Sequence, residues 1–340
     1  MIRCAVYFFL LAGINSCDSN KKNADGNMKD PGLGIIEKFD PALDAILDSN
    51  ARAEVIASGF EWCEGPLWLE KYKMLVFSDV PANVIWKWTE GKDKEIYLTP
   101  SGFTGNIDRG GEKGSNGLTL DNEGKLVICQ HGNRQMARMD SPLEKPAPVF
   151  TTLAGDYNGK HFNSPNDAIY NTKGELFFTD PPYGLEGGME DPKRELTFQG
   201  VYKVTQGGEV KLLTDTLTRP NGLAFLPGEK TLLVANSDPD LPNWYAFDLD
   251  VNGDVISSRL FFSAGGYNKS LKGLPDGLKT DRNGNVFATG PGGVWIFNSN
   301  GKVLGKIHFT EATSNIALTA DEKTMFITAH TNVLRFRMRK

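Results

Sequence analysis

The chain has 340 residues, a formal net charge of -5, 37 Gly and 18 Pro. That length holds two average domains or one large all-β domain, and the Gly and Pro content calls for many turns rather than long helices. With negative net charge and no basic cluster, a nucleic-acid partner held through its phosphates is excluded.

In chain order, the opening MIRCAVYFFLLAGINSC reads as a processing signal rather than fold. Arg3 supplies a positive start, and residues 5–13 form an apolar core too short to span a bilayer. Ile14-Asn15-Ser16-Cys17 resembles the lipobox of bacterial lipoproteins. That resemblance implies a signal peptide over 1–16 and Cys17 as the lipidated first residue of the mature chain. It also implies an exported protein, periplasmic or at the cell envelope, that meets the membrane only through its lipid; an ordinary signal peptide with an incidental Cys17 is the alternative. Residues 17–38 have the composition of a polar linker. A short helix is expected over 40–47, with Asp40 as N-cap and Pro41 in the first turn. Cys63 and Cys129 stand on separate repeats and are expected to be buried free thiols.

From Glu64 onward one hairpin recurs. The copies begin EGPLWLEKYKMLVFSD at Glu64, NGLTLDNEGKLVICQ at Asn116, NDAIYNTKGELFFTD at Asn166, NGLAFLPGEKTLLVAN at Asn221, DGLKTDRNGNVFATG at Asp276 and NIALTADEKTMFITAH at Asn315. A period of roughly 50 residues with short strands is propeller spacing. Each copy has an apolar strand, a turn such as DNEG, NTKG or DRNG, and a second apolar strand. Third strands follow at 83–88, 200–204, 244–249 and 294–297, and fourth strands at 95–98, 149–153, 210–213, 260–263 and 303–309. The fold expected over 39–340 is an all-β, six-bladed β-propeller. Its last copy ends after three strands, so residues 53–58 are expected to supply the outer strand and close the ring, which removes an exposed edge.

The first strand of each blade lines the central channel, so the starts converge as a ring: Glu64, Asn116, Asn166, Asn221, Asp276, Asn315. For Asn116 and Asn315 a loop-shaping role is the competing reading, while Asp121 and Asp281 belong to hairpin turns. Two carboxylates and several amide oxygens aimed at one axis call for a cation, since Glu64 and Asp276 would otherwise repel. All-oxygen ligation favours Ca²⁺, with Mg²⁺, Mn²⁺ or Zn²⁺ as substitutes. The second strands return to the same mouth at Asp79, Gln130, Asp180, Asn236, Gly290 and His330, an outer shell that orients the ring. His131 and Arg134 follow in QHGNR, either as binders of an anionic or hydroxyl-rich substrate or as surface and turn residues.

EGPLW (64–68), SPNDAIY (164–170), RPNGLAF (219–225) and LPDGLKTD (274–281) together resemble the gluconolactonase, senescence marker protein (regucalcin) and luciferin-regenerating enzyme family. HGNR (131–134) and TDPPYG (179–184) are similar to its bacterial gluconolactonase-like branch. The resemblance implies a divalent cation on Glu64, Asn221 and Asp276, with Asn166 beside it as ligand or substrate contact. It implies a hydrolase of ester bonds acting on a small sugar-derived lactone, without a Ser-His-Asp triad. Asp276 is the candidate general base, Asn166 stabilises the oxyanion, and Asn116, His131 and Arg134 are candidate substrate contacts. A monomer is expected. Two other readings stand beside it: another metal-dependent reaction on this scaffold, on phosphotriesters or sugar derivatives, and a non-catalytic binding propeller at the envelope.

Overall fold

The computed structural model describes residues 34–106, 109–267 and 270–339; the signal segment, Cys17 and the linker as far as residue 33 lie outside them. The second strand of each repeat is an unbroken apolar run because both of its faces are covered by neighbouring sheets. Met74–Asp79, Leu126–Gln130, Leu176–Asp180 and Val286–Gly290 are buried at every position. Such strands cannot stand alone, and they stack as six antiparallel sheets, each running from its first strand outward.

Blade 1 comprises Cys63–Leu69, Met74–Asp79, Val84–Thr89 and Glu95–Leu98. Blades 2, 3 and 4 repeat the pattern from Ser115–Leu120, Ala168–Tyr170 and Pro220–Phe225. Blade 5 starts at Leu278–Thr280 and blade 6 at Asn315–Leu318. These innermost strands touch one another in cyclic order, and the strand of blade 6 returns to that of blade 1. Large aromatic rings fill the gaps between blades: Phe177 meets Phe225 edge-on at 5.0 Å, and Trp68 stacks on Phe326 at 5.0 Å. Cys63 and Cys129 are buried free thiols, as expected.

Ring closure follows the expectation. Ala53–Ser58 pairs antiparallel with Asn332–Arg337, Ala53 opposite Phe336 and Ser58 opposite Asn332, and Glu54 receives Arg335 Nε at 2.7 Å. At the N-terminal boundary the structure departs from the sequence reading. Ile35–Lys38, inside the expected linker, adds a fifth strand to blade 5 beside Val303–His308. The pair Ile35-Ile36 is the cause: Ile36 packs on the core around Leu43 and Ile307, a local signal that linker-wide composition averages away. The expected helix is a shorter 3₁₀ turn, Pro41–Ala45, capped where Asp40 Oδ1 accepts from Ala42 N at 2.8 Å.

The glycine that follows most ring positions is demanded by the axis. A methyl on Gly117 would lie 2.6 Å from Asn166 O, and one on Gly65 or Gly222 would overlap the carbonyl oxygen of Asn116 or Asp276 in the next blade. Adjacent inner strands therefore approach backbone to backbone, with Gly117 N donating to Asn166 O at 2.7 Å and Gly277 N to Ser314 O at 2.7 Å. Replacing Gly222 by Ala is expected to cost about 3 kcal/mol by overpacking at the axis. A thermal melt checks this: a wild-type melting temperature would mean that the inner strands have room to spare.

Candidate functional site

In three blades the ring residue is placed by a side chain at the end of its own blade's second strand. Asp79 Oδ1 accepts from Glu61 N and Trp62 N, both at 3.1 Å, three and two residues before Glu64. Asp180 accepts from Asn163 N at 2.8 Å and Ser164 N at 2.7 Å, just before Asn166. Asn236 Oδ1 accepts from Arg219 N at 2.7 Å, just before Asn221. The expected outer shell is thus real in blades 1, 3 and 4, but it fixes the backbone of the incoming loop rather than the ring side chains. Hydroxyls beside these residues bind each blade to the next: Ser78 Oγ donates to Asn116 O at 2.8 Å and Thr179 Oγ1 to Asn221 O at 2.7 Å.

Five of the six ring side chains, Glu64, Asn116, Asn166, Asn221 and Asp276, line one cavity of about 330 Å³ at the channel mouth. Asn315 does not. Ile316, not Gly, follows it, and its amide turns along the channel, Oδ1 accepting from Ile316 N at 2.8 Å and Nδ2 lying 3.4 Å from Asp167 Oδ2. The walls add residues that sequence reasoning missed, Trp62, Glu112, Ser237, Ala312 and Thr313, together with Leu274 of the LPDGLKTD motif. Tyr183, also in the wall, belongs to the TDPPYG motif. Ser237 Oγ accepts from Asn221 Nδ2 at 3.0 Å and donates to Pro275 O, so it leaves the Asn221 amide oxygen available to a ligand.

His131 and Arg134 are not brought to the cavity wall. Arg134, at φ 56°, gives Nε to Phe162 O at 2.6 Å and Nη1 to Lys193 O at 2.9 Å, which ties its turn to two neighbouring loops. His131 is fully buried beneath Gly184, which explains why HGNR and TDPPYG occur together. His330 lies beside the site: its ring meets Trp62 edge-on at 5.5 Å, and its carbonyl accepts from Cys63 N at 2.9 Å. Asp281 and Asp121 are turn formers, each accepting backbone N–H groups of its own hairpin at 2.8–2.9 Å.

The electrostatics of the ring are unfavourable as they stand. Glu64 is buried and Asp276 half-buried at the cavity, and desolvation is the main force that drives both carboxyls up from the ordinary range. For Asp276 the charge of Glu64 adds to this, followed by those of Asp167 and Glu112. Asp276 Oδ1 and Asn116 Oδ1 are buried without a hydrogen-bond partner. Among the described residues no three His, Cys, Asp or Glu side chains gather as a metal-binding group; the donors offered are two carboxylates supplemented by amide oxygens. Orphaned oxygens and mutually repelling carboxylates suit a hard divalent cation, which would satisfy both at once.

Residues 62–331 match the family described as SMP-30/Gluconolactonase/LRE-like region. The chain belongs to that family. A gluconolactonase of Zymomonas mobilis is 41% identical over 320 residues, 92% of this chain and 89% of its own length. A solved gluconolactonase of Xanthomonas campestris is 30% identical, with a TM-score of 0.76 over 92% of this chain and 99% of its own. A calcium-binding regucalcin of Agrobacterium tumefaciens shares the fold at a TM-score of 0.63 and 15% identity, over 84% of this chain and 94% of its own.

These charges set the behaviour of the cation-free protein. Because the folded carboxyls hold protons that the unfolded chain has already released, stability should fall as pH rises above the ordinary carboxylate range toward about 8. Asp276→Asn should raise the cation-free melting temperature, and Ca²⁺ should stabilise the wild type most at the alkaline end. Melting curves with chelator and with added Ca²⁺ check this; a flat pH profile with no Ca²⁺ response would contradict it.

Proposed function

We propose that this chain hydrolyses a sugar-derived lactone at the channel mouth around a divalent cation held by Glu64, Asn221 and Asp276, with Asn166 beside it. The observation that carries the reading is Asp276 Oδ1, a buried carboxylate oxygen without a partner, at a cavity about the size of a monosaccharide site. Lactone hydrolysis is supported by family membership and by the 41% identity to a gluconolactonase along most of both chains. Ca²⁺ is the expected cation, because the donors are hard oxygens presented by separate blades at irregular angles.

When bound, the cation supplies Lewis-acid polarisation of the lactone carbonyl. Glu64 and Asn221 hold it, and Ser237 keeps the Asn221 oxygen turned inward. Asp276 accepts a proton from the attacking water as the new C–O bond forms, while the Asn166 amide donates to the developing oxyanion. The ring C–O bond then breaks, and the proton held at Asp276 passes to the departing alkoxide oxygen, which gives the open hydroxy acid. Trp62, Leu274 and Ala312 supply apolar wall to the cavity. We further infer export and tethering through Cys17, a reading supported by the segment MIRCAVYFFLLAGINSC.

Asp276→Ala and Glu64→Ala should each lower kcat/KM for aldonolactones by about 10²–10⁴-fold and remove bound cation. The checks are a pH-stat assay and elemental analysis of the purified variants. Wild-type turnover by both variants would sink the assignment.

A further inference from the structure

We propose that Glu112 selects the substrate by accepting a hydrogen bond from a hydroxyl of a polyhydroxylated lactone, and that buried His131 holds its carboxylate in place; this rests on the lactonase reading above. Glu112 lies outside every repeat, in the connection between blades 1 and 2, yet it lines the same cavity as Glu64 and Asp276. Its Oε2 is 3.4 Å from Nδ1 of His131. His131 is wholly buried, and neither ring nitrogen has a hydrogen-bond partner. A buried imidazole with both nitrogens unsatisfied is costly unless it serves a neighbour. The Glu112 carboxylate beside it faces the substrate space. A separation of 3.4 Å is the long contact that substrate binding shortens in catalytic and binding pairs.

The backbone shows that this pairing is built rather than incidental. Gly114 N donates to Val80 O at 2.8 Å, and His131 N donates to Gly114 O at 3.2 Å. A methyl on Gly132 would overlap Lys113 O, and one on Gly184 would lie 2.6 Å from the β-carbon of His131. The segments carrying Glu112 and His131 are therefore bridged to each other and roofed by a third loop. Glu112 cannot be a seventh ring donor, because it does not start an inner strand. It stands at the blade 2 side of the mouth, and the cyclic order sets blade 5, with Leu274 at its entrance, across the axis. A carboxylate on one wall and an apolar side chain on the other match a sugar ring, which has a hydroxyl edge and an apolar face. An analogue without the hydroxyl leaves the acceptor desolvated and unpaired, and discrimination then exceeds what an apolar pocket gives for a group of that size.

The test compares kcat/KM for D-glucono-δ-lactone and δ-valerolactone in the Ca²⁺-loaded full chain. Glu112→Leu should lose about 30-fold or more on gluconolactone, chiefly through KM, and stay within about threefold of wild type on valerolactone. His131→Asn, which keeps a donor near the Nδ1 position, should retain the preference for gluconolactone. His131→Leu should lose it as Glu112→Leu does, a result that tests positioning rather than bulk packing. Glu112 is partly exposed, so its variant is expected to fold even where the His131 variants do not, and it decides the question alone in that case. A Glu112→Leu enzyme with an unchanged ratio between the two lactones overturns this inference and leaves the lactonase reading intact. Wild-type protein that hydrolyses neither lactone overturns both.

Discussion

Six inner strands must pass one axis at backbone contact distance, and most of the site follows from that crowding. Where the strands come closest there is no space for a β-carbon, so Gly65, Gly117, Gly222 and Gly277 line the approach. The residue just before each glycine is the last one able to carry a side chain at the mouth, and it points into the channel. Crowding the axis thus gathers Glu64, Asn116, Asn221 and Asp276 around one space. The arrangement concentrates negative charge where the carboxylates are largely desolvated, a cost that a cation removes.

Two further layers hold this centre still. Asp79, Asp180 and Asn236 tie the loop that enters each inner strand, so the ring side chains start from fixed backbone. The neighbouring hydroxyls Ser78, Thr179 and Ser237 bond across to the next blade, so no blade can shift without moving another. Donors placed on separate sheets are in this way held as firmly as donors on one element, which is what preorganisation of a charged site requires.

The repeat of short strands made the propeller legible from sequence, and the unpaired last copy made its closure by Ala53–Ser58 legible too. The motifs EGPLW, RPNGLAF and LPDGLKTD marked the residues that the fold brings together, because each begins an inner strand. Other features escaped for physical reasons. Asn315 shares the repeat position, but its amide packs against Gly277 of blade 5 and accepts from Ile316 N, away from the cavity. Asp167 stands where four of the other copies have glycine, and its carboxylate enters the channel, 3.9 Å from Lys279 Nζ. Arg134 looked like a substrate contact from its motif, but its guanidinium is taken by the carbonyls of Phe162 and Lys193 in two neighbouring loops. Glu112 could not be singled out within its loop, because that loop has no counterpart in the other repeats and its partner lies on a different segment.

The central claim is that this ring of oxygens holds one divalent cation and that lactone hydrolysis depends on it. Its most direct measurement is a titration of chelator-treated protein with Ca²⁺, reading bound cation by equilibrium dialysis and lactone hydrolysis in the same samples. The account predicts that activity rises from near zero in proportion to occupancy and saturates at one cation per chain. Full lactone hydrolysis at zero occupancy would contradict it.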